Sequence, residues 1–182
     1  MPRLPEVTRD QLDPEGQAAW DRIAADRGSV RIPSSILLHH PPLAERVSEL
    51  GSQLRFHGVL SGADRELVIL TAGRETRAPY QNIAHEPLGL KEGLRPEPIE
   101  VLKRNGPTDG LEPREALIID AVRSLFRHYE LPPDLYDRLE AELGRKALVE
   151  LVVLCGYYSL TGFVLNAFEV EMPPGVSPAF ER

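Results

Sequence analysis

Seventeen prolines and fourteen glycines divide this 182-residue chain into short segments. Proline interrupts helices and strands and glycine weakens both, so the regular elements are expected to lie between these residues. Within the segments, apolar residues recur every three or four positions, which is typical of amphipathic helices, and no segment alternates convincingly with period two. The pattern predicts an all-α fold, a compact bundle of eight helices at about 13–27, 42–57, 61–78, 79–88, 96–104, 112–129, 133–143 and 145–168.

The ends of several helices carry recognisable signals. Asp13, followed directly by a proline, predicts an N-cap, and Ser61 predicts the N-cap of the helix that ends before Pro79. Gly28 and Gly89 predict the ends of the helices that begin near positions 13 and 79.

Two apolar patterns bear on the core. One stripe along the helix at 42–57 is typical of a core-facing side and consists of Leu43, Val47, Leu50 and Leu54. The most apolar run, at 147–168, is long enough to span a membrane. Glu150, Gly156 and Asn166 are among the residues that interrupt it, so it predicts a buried core helix instead.

Length and charge limit the domain organisation and the partners. The chain is expected to form one domain over 1–182, with an N-terminal helix at about 13–27, a core at about 43–172 and an irregular tail at 172–182. Its formal net charge of -7 argues against a nucleic-acid binder and against docking on an anionic membrane. Small molecules or copies of the same chain are the expected partners. The first six residues lack the apolar stretch of a signal peptide, which predicts a cytoplasmic location.

Cysteine and histidine usage narrows the chemistry further. Cys155 is the only cysteine, so the chain can form no internal disulfide and no Cys-x-x-Cys redox pair. It lies among aliphatic residues and is expected to be an inert core thiol. The adjacent His39 and His40 point in different directions, and no third ligand is evident near them, so we expect no metal site.

His85 is the most informative titratable residue. Gln81 and Asn82 precede it by four and three positions, which places the three side chains on one helical face. An antiparallel hairpin with the preceding helix would bring Glu66 to His85, and a carboxylate beside an imidazole suits proton transfer near neutral pH. Alternatively, this face and Glu86 are solvated, and Glu66 supports the start of its own helix. The spacing leaves both interpretations open.

Residues 60–94, LSGADRELVILTAGRETRAPYQNIAHEPLGLKEGL, resemble the signature of the carboxymuconolactone decarboxylase family, whose superfamily includes the alkyl hydroperoxide reductase D-type peroxidases. The matching features are Arg65-Glu66 before aliphatic residues, the later His85 and the turn Gly93-Leu94. Residues 148–173 are similar to the family's final long helix. The resemblance covers roughly 43–173 and implies the alkyl hydroperoxide reductase D-like bundle, assembled as a homo-oligomer (dimer, trimer or hexamer).

One departure from the family pattern separates its branches. The peroxidases carry Cys-x-x-Cys-x-x-x-His, but Ala78 and Gln81 stand where the cysteines would precede His85. Peroxide reduction needs those thiols, so peroxidase activity is excluded. The decarboxylase branch implies a cofactor-independent decarboxylase or isomerase that acts on a small cyclic carboxylate or lactone in aromatic catabolism. His85 and Glu66 would then be the catalytic acid–base residues.

The same resemblance implies a cation for the substrate carboxylate. We expect Arg77, near the turn that leads to the His85 helix, to bind it, with Tyr80, Gln81 and Tyr158 as further substrate-binding residues. A solvated arginine and a buried tyrosine that only satisfies its hydroxyl are the alternatives. Two other functions stay open: a redox-inactive peroxidase relative that serves as a binding or structural subunit, and another acid–base enzyme such as a hydratase.

Overall fold

The computed structural model describes residues 2–181, which belong to two compact units. The first contains residues 2–58 together with 167–170, and the second contains residues 59–166 and 171–181. The described residues contain no strand, which confirms the all-α prediction, whereas the sequence gives no sign of the division into units. After a 3-10 turn at Arg9–Gln11, the helices are α1 (Pro14–Arg27), α2 (Ser34–Leu37), α3 (Pro41–Phe56), α4 (Gly62–Glu75), α5 (Pro79–Lys91), α6 (Pro96–Arg104), α7 (Pro113–His128), α8 (Pro133–Leu143) and α9 (Arg145–Ala167).

The first unit is built on α1 and α3. The side chain of Asp13 accepts a hydrogen bond from the backbone N–H of Gly16 at 2.8 Å, and Gly28 ends α1 with φ at 76°. Both ends of this helix are therefore where the sequence predicts them. Its core combines side chains of α1, the α2–α3 segment and α3, namely Ala19, Ile23, Leu38 and Ala44.

Helix α3 packs with a different face from the one expected. Leu43 and Leu50 of the predicted stripe are 48% and 44% exposed. The small side chains of Ala44 and Ser48, with Gly51, are buried instead. Small residues allow neighbouring helices to approach closely, so they form much of the face that packs. Leu54 of the predicted stripe, at 5% exposed, is buried as expected.

The second unit has α4 at its centre, in contact with α5, α6 and α7. Ser61 caps α4 as predicted, because its hydroxyl accepts a hydrogen bond from the N–H of Asp64 at 3.1 Å. Nearly every residue from Asp64 to Gly73 is buried. A helix surrounded in this way can place polar side chains out of water, which is the setting of the site below.

Helix α5 is longer than the sequence predicts. It continues through Pro87 and Gly89 to Lys91. The expected stop at Gly89 is wrong, because this glycine lies inside the helix near Leu94 and Glu66. The left-handed residue that ends the helix is Gly93, with φ at 90°.

Helix α9 is buried on one side only. Leu151, Leu154 and Tyr158 are buried, and the opposite side exposes a row of large apolar side chains, namely Val149, Val152, Val153, Leu160 and Phe163. The prediction of a core helix therefore holds for one face. Among residues 2–181, this helix alone is long and apolar enough to cross a membrane, and half of its apolar window is buried. A core helix has the same pattern.

Candidate acid–base site

The second unit contains a buried pair formed by Glu66 of α4 and His85 of α5. His85 Nδ1 lies 2.7 Å from Glu66 Oε2, and the two residues are 8% and 1% exposed. Because a carboxylate only accepts hydrogen bonds, Nδ1–H is the donor, and Nε2 is the ring atom that would exchange a proton with a substrate. The predicted hairpin does bring the two side chains together.

Two consecutive amide side chains dock α5 onto α4 beside this pair. Gln81 Nε2 donates to the carbonyl oxygen of Ile69, and Asn82 Nδ2 donates to that of Leu70, both at 3.0 Å. The helices approach closely at Gly73, where a Cβ atom would collide with Asn82 Oδ1. Gln81, Asn82 and His85 are all buried, so the alternative of a solvated face is wrong.

Gln81 also connects α5 to α9. Its Oε1 accepts a hydrogen bond from the hydroxyl of Thr161 at 2.8 Å. Both ends of this amide, predicted to bind substrate, are therefore engaged within the protein. Sequence reasoning missed Thr161, which lies 80 positions from Gln81 and carries no local signal of the contact.

A tyrosine side chain packs against the imidazole. The rings of His85 and Tyr158 are perpendicular, with centroids 5.2 Å apart, and Tyr157 contacts Tyr158 at the same centroid distance. Such edge-to-face packing restricts the ring of His85. Tyr80 is half-buried in the first turn of α5. Five positions separate it from His85, which is about 140° around the helix, so it faces another direction.

The structure places a different arginine beside the pair from the one predicted. Arg77 lies not on a helix but in the turn after α4, exposed and with φ at 53°. Glu66 is nine positions before the end of α4, about 13 Å along its axis. Arg65 is the adjacent cation, with Nε 3.6 Å from Glu66 Oε1 and a side chain that is only 15% exposed. The sequence favours Arg77 because it is nearest the turn that leads to the His85 helix, whereas the cation beside the pair lies at the start of α4.

The remaining thiol and histidines take structural positions. Cys155 is buried, and burial raises the pKa of its thiol to about 12, so little thiolate forms near neutral pH. His39 donates from Nε2 to the carbonyl oxygen of Pro5, and His40 caps α3. Between positions 2 and 181 no group of three or more His, Cys, Asp or Glu side chains is arranged to hold a metal ion.

In comparisons with known proteins, no protein-family model matches this chain and no curated protein matches it. The resemblance to the carboxymuconolactone decarboxylase family therefore rests on the residues quoted for it. The function has to be argued from the geometry of Glu66, His85 and their neighbours.

Proposed function

We propose that this protein is a cofactor-independent acid–base enzyme of the carboxymuconolactone decarboxylase type, acting on a small cyclic carboxylate or lactone. The observation that carries the proposal is the 2.7 Å hydrogen bond between the buried side chains of Glu66 and His85. Paired carboxylate and imidazole groups removed from bulk water are a common arrangement for proton transfer. We also propose that the fold is the alkyl hydroperoxide reductase D-like bundle.

The chemistry assigned to the pair is proton delivery during loss of carbon dioxide. The bond between the ring carbon and the carboxylate breaks, and its electrons move into the conjugated lactone as a dienolate. His85 then donates the proton from Nε2 to carbon, which completes the double-bond shift, and recovers a proton from solvent. The carboxylate of Glu66 accepts the hydrogen bond from Nδ1–H, which fixes the orientation of the imidazole and leaves Nε2 as the atom that transfers the proton.

Arg65 is the residue that we assign to the substrate carboxylate. Its guanidinium lies beside Glu66, and its nearest partners are loose ion pairs of 3.6 Å with Glu66 and 3.9 Å with Glu92. Neither distance is that of a hydrogen bond, and Nε is buried without a hydrogen-bond partner. A substrate carboxylate would satisfy this guanidinium better than the present contacts do. Arg77, exposed in the turn, is the weaker candidate.

The test is turnover of 4-carboxymuconolactone by the full-length protein, followed as carbon dioxide release. His85→Gln is expected to reduce kcat by about 10²- to 10⁴-fold, because a general acid is removed. His57→Gln replaces an exposed histidine at the end of α3 and serves as the control. Circular dichroism establishes that each variant is folded.

Two outcomes would refute the proposal. One is wild-type protein that turns over neither this lactone nor any member of a panel of small cyclic carboxylates. The other is turnover that His85→Gln leaves unchanged, which would separate the activity from the pair.

The exposed face of α9 favours a second candidate, a subunit that acts by binding rather than by turnover. It also supports the proposed homo-oligomer, because Val153, Leu160 and Phe163 form an apolar surface with open space at Gly156.

Light scattering after size-exclusion chromatography should give a multiple of 20.3 kDa. Phe163→Lys should reduce it to the monomer, and Tyr129→Lys, at the exposed tyrosine that follows α7, should not. A wild-type monomer would contradict the assembly.

A further inference from the structure

A polar cavity of about 420 Å³ lies in the second unit, beside the C-terminal turns of α7. It is distinct from the Glu66–His85 pair, because loop residues 107–109 and α7 residues 120–128 line it. Its charged and polar lining groups include Thr108, Asp109, Asp120, Arg123, Arg127 and His128.

The guanidinium of Arg123 is the unusual group in this lining. The residue is 8% exposed, and its Nε and Nη2 are buried with no hydrogen-bond partner. Oε1 of Glu75 lies 3.7 Å from Nε, beyond hydrogen-bond distance. Burying donors of a charged group without acceptors is unfavourable. Nη1 is the guanidinium nitrogen that is not buried in this way, so it is the atom to which a ligand in the cavity could supply an acceptor.

Competition for Glu75 explains the missing acceptor. Arg127 donates from Nε to Glu75 Oε2 at 2.8 Å and from Nη2 to Oε1 at 2.6 Å, so the carboxylate is held in a bidentate pair with Arg127. Two guanidiniums therefore share one carboxylate. Burial first, and then the positive charge of Arg127, lower the pKa of Arg123 from its ordinary value. A carboxylate ligand would offer Arg123 the paired oxygens that it lacks.

Two acids in the same lining restrict which anion fits. Asp109 and Asp120 face the cavity, and the hydroxyl of Thr108 already donates to Asp120 at 3.1 Å. Their charges repel a dianion, but their oxygens accept hydrogen bonds from hydroxyl groups. The cavity thus contains a cation that can donate hydrogen bonds, Arg123, and two carboxylates that can accept them, Asp109 and Asp120.

We propose that this cavity binds a small hydroxylated monocarboxylate, of the sugar-acid class. Arg123 holds the ligand carboxylate, and Asp109 and Asp120 accept hydrogen bonds from its hydroxyl groups. The proposal does not depend on the activity of the Glu66–His85 pair, since none of the lining residues belongs to that pair.

Calorimetric titration of the full-length protein with four probes tests the ligand class. Gluconate carries both features, hexanoate only the carboxylate, sorbitol only the hydroxyls, and inorganic phosphate a higher charge. Gluconate should bind with a Kd on the order of 1 mM, and each of the others about tenfold more weakly or worse. Hexanoate or sorbitol binding as tightly as gluconate would overturn the dual recognition, and tighter phosphate binding would overturn the ligand class.

Variants test the assignment of residues. Arg123→Lys retains the charge but loses the planar fork, and it should weaken gluconate about tenfold. Asp120→Asn, at an exposed position, should weaken gluconate and strengthen phosphate. Arg138→Lys replaces an exposed arginine of α8 and should change neither. Absence of gluconate binding up to about 10 mM, or equal binding by all variants, would refute the site.

Discussion

Two carboxylates of α4, Glu66 and Glu75, lie nine positions apart and are both almost removed from water, yet their partners differ in kind. Glu66 accepts a hydrogen bond from an imidazole and has the guanidinium of Arg65 3.6 Å away, whereas the partners of Glu75 are the guanidiniums of Arg123 and Arg127. An imidazole can release its proton near neutral pH, and a guanidinium cannot. Burial of a carboxylate thus does not mark a site for proton transfer by itself. The partner decides whether the arrangement can move a proton or only hold charge.

The largest expected effect is that of Glu75→Gln. It tests the carboxylate whose partners, Arg123 and Arg127, keep their charge. The change leaves Arg123 buried beside an amide without a counter-charge, and it should lower the free energy of unfolding by about 3 kcal/mol. Urea denaturation at pH 7 measures it. Arg127→Met is the control, since a 43% exposed arginine should cost about 1 kcal/mol or less. A loss for Glu75→Gln as small as that of the control would mean that Arg123 does not depend on Glu75.

Gln81→Leu tests whether the Gln81 amide stabilises the helices that carry the Glu66–His85 pair. It removes two buried hydrogen bonds and leaves the Ile69 carbonyl and the Thr161 hydroxyl without this partner, at a cost of about 2 kcal/mol. Gln17→Leu is the control at a partly exposed amide, which donates to the carbonyl oxygen of Leu12 at 3.0 Å and accepts only a long contact from Arg9 at 3.5 Å. Equal losses in the two variants would show that Gln81 is not a specific support of the site.

Glu66→Gln tests whether His85 can adapt to the loss of its partner's charge. A neutral imidazole still donates from Nδ1 to the amide oxygen, and Arg65 keeps the carboxylate of Glu92 at 3.9 Å. The loss of stability should therefore be about 1 kcal/mol, well below that of Glu75→Gln. Denaturation at pH 7 gives the value, and ¹⁵N shifts of the imidazole report its tautomer. A loss as large as that of Glu75→Gln would break the comparison, because it would mean that His85 keeps its charge.

The smallest expected effect concerns Cys155. Loss of the proton from this buried thiol would create a negative charge in the core. Burial raises the pKa of this thiol from 9.0 to about 12. As the pH rises above 9.0, the unfolded chain loses the proton and the folded chain keeps it, so stability falls between these pH values and is unaffected below them. At pH 9.5 the loss should be under about 1 kcal/mol relative to Cys155→Ala. Identical pH profiles of the two proteins would contradict it.

Local signals and the hairpin geometry could be predicted from the sequence because few residues determine them. Asp13, Ser61 and Gly28 act at the ends of their own helices, as expected. The contact between Glu66 and His85 follows from two adjacent antiparallel helices.

What could not be predicted depends on which surfaces meet. Leu43 and Leu50 form an apolar stripe that stays exposed, because the close packing of α3 uses its small residues. Glycine is a common residue at helix ends, which is why the sequence predicts an end at Gly89. This glycine instead lies where α5 approaches α4, and the helix ends just before Gly93. The hydrogen bond that Thr161 donates to Gln81 joins residues 80 positions apart, and no local sequence pattern predicts it.

The glycine at position 73 has a consequence for recognising relatives of this protein. Asn82 can lie against α4 only because Gly73 has no side chain there. A chain with alanine at this position would keep every residue that carries the proposed chemistry, but the side chain of Asn82 would have to move away from its hydrogen bond with the Leu70 carbonyl oxygen. Searches that require only the glutamate and the histidine would count such a chain as an enzyme. The missing methyl group belongs in the signature as much as the two titratable side chains do.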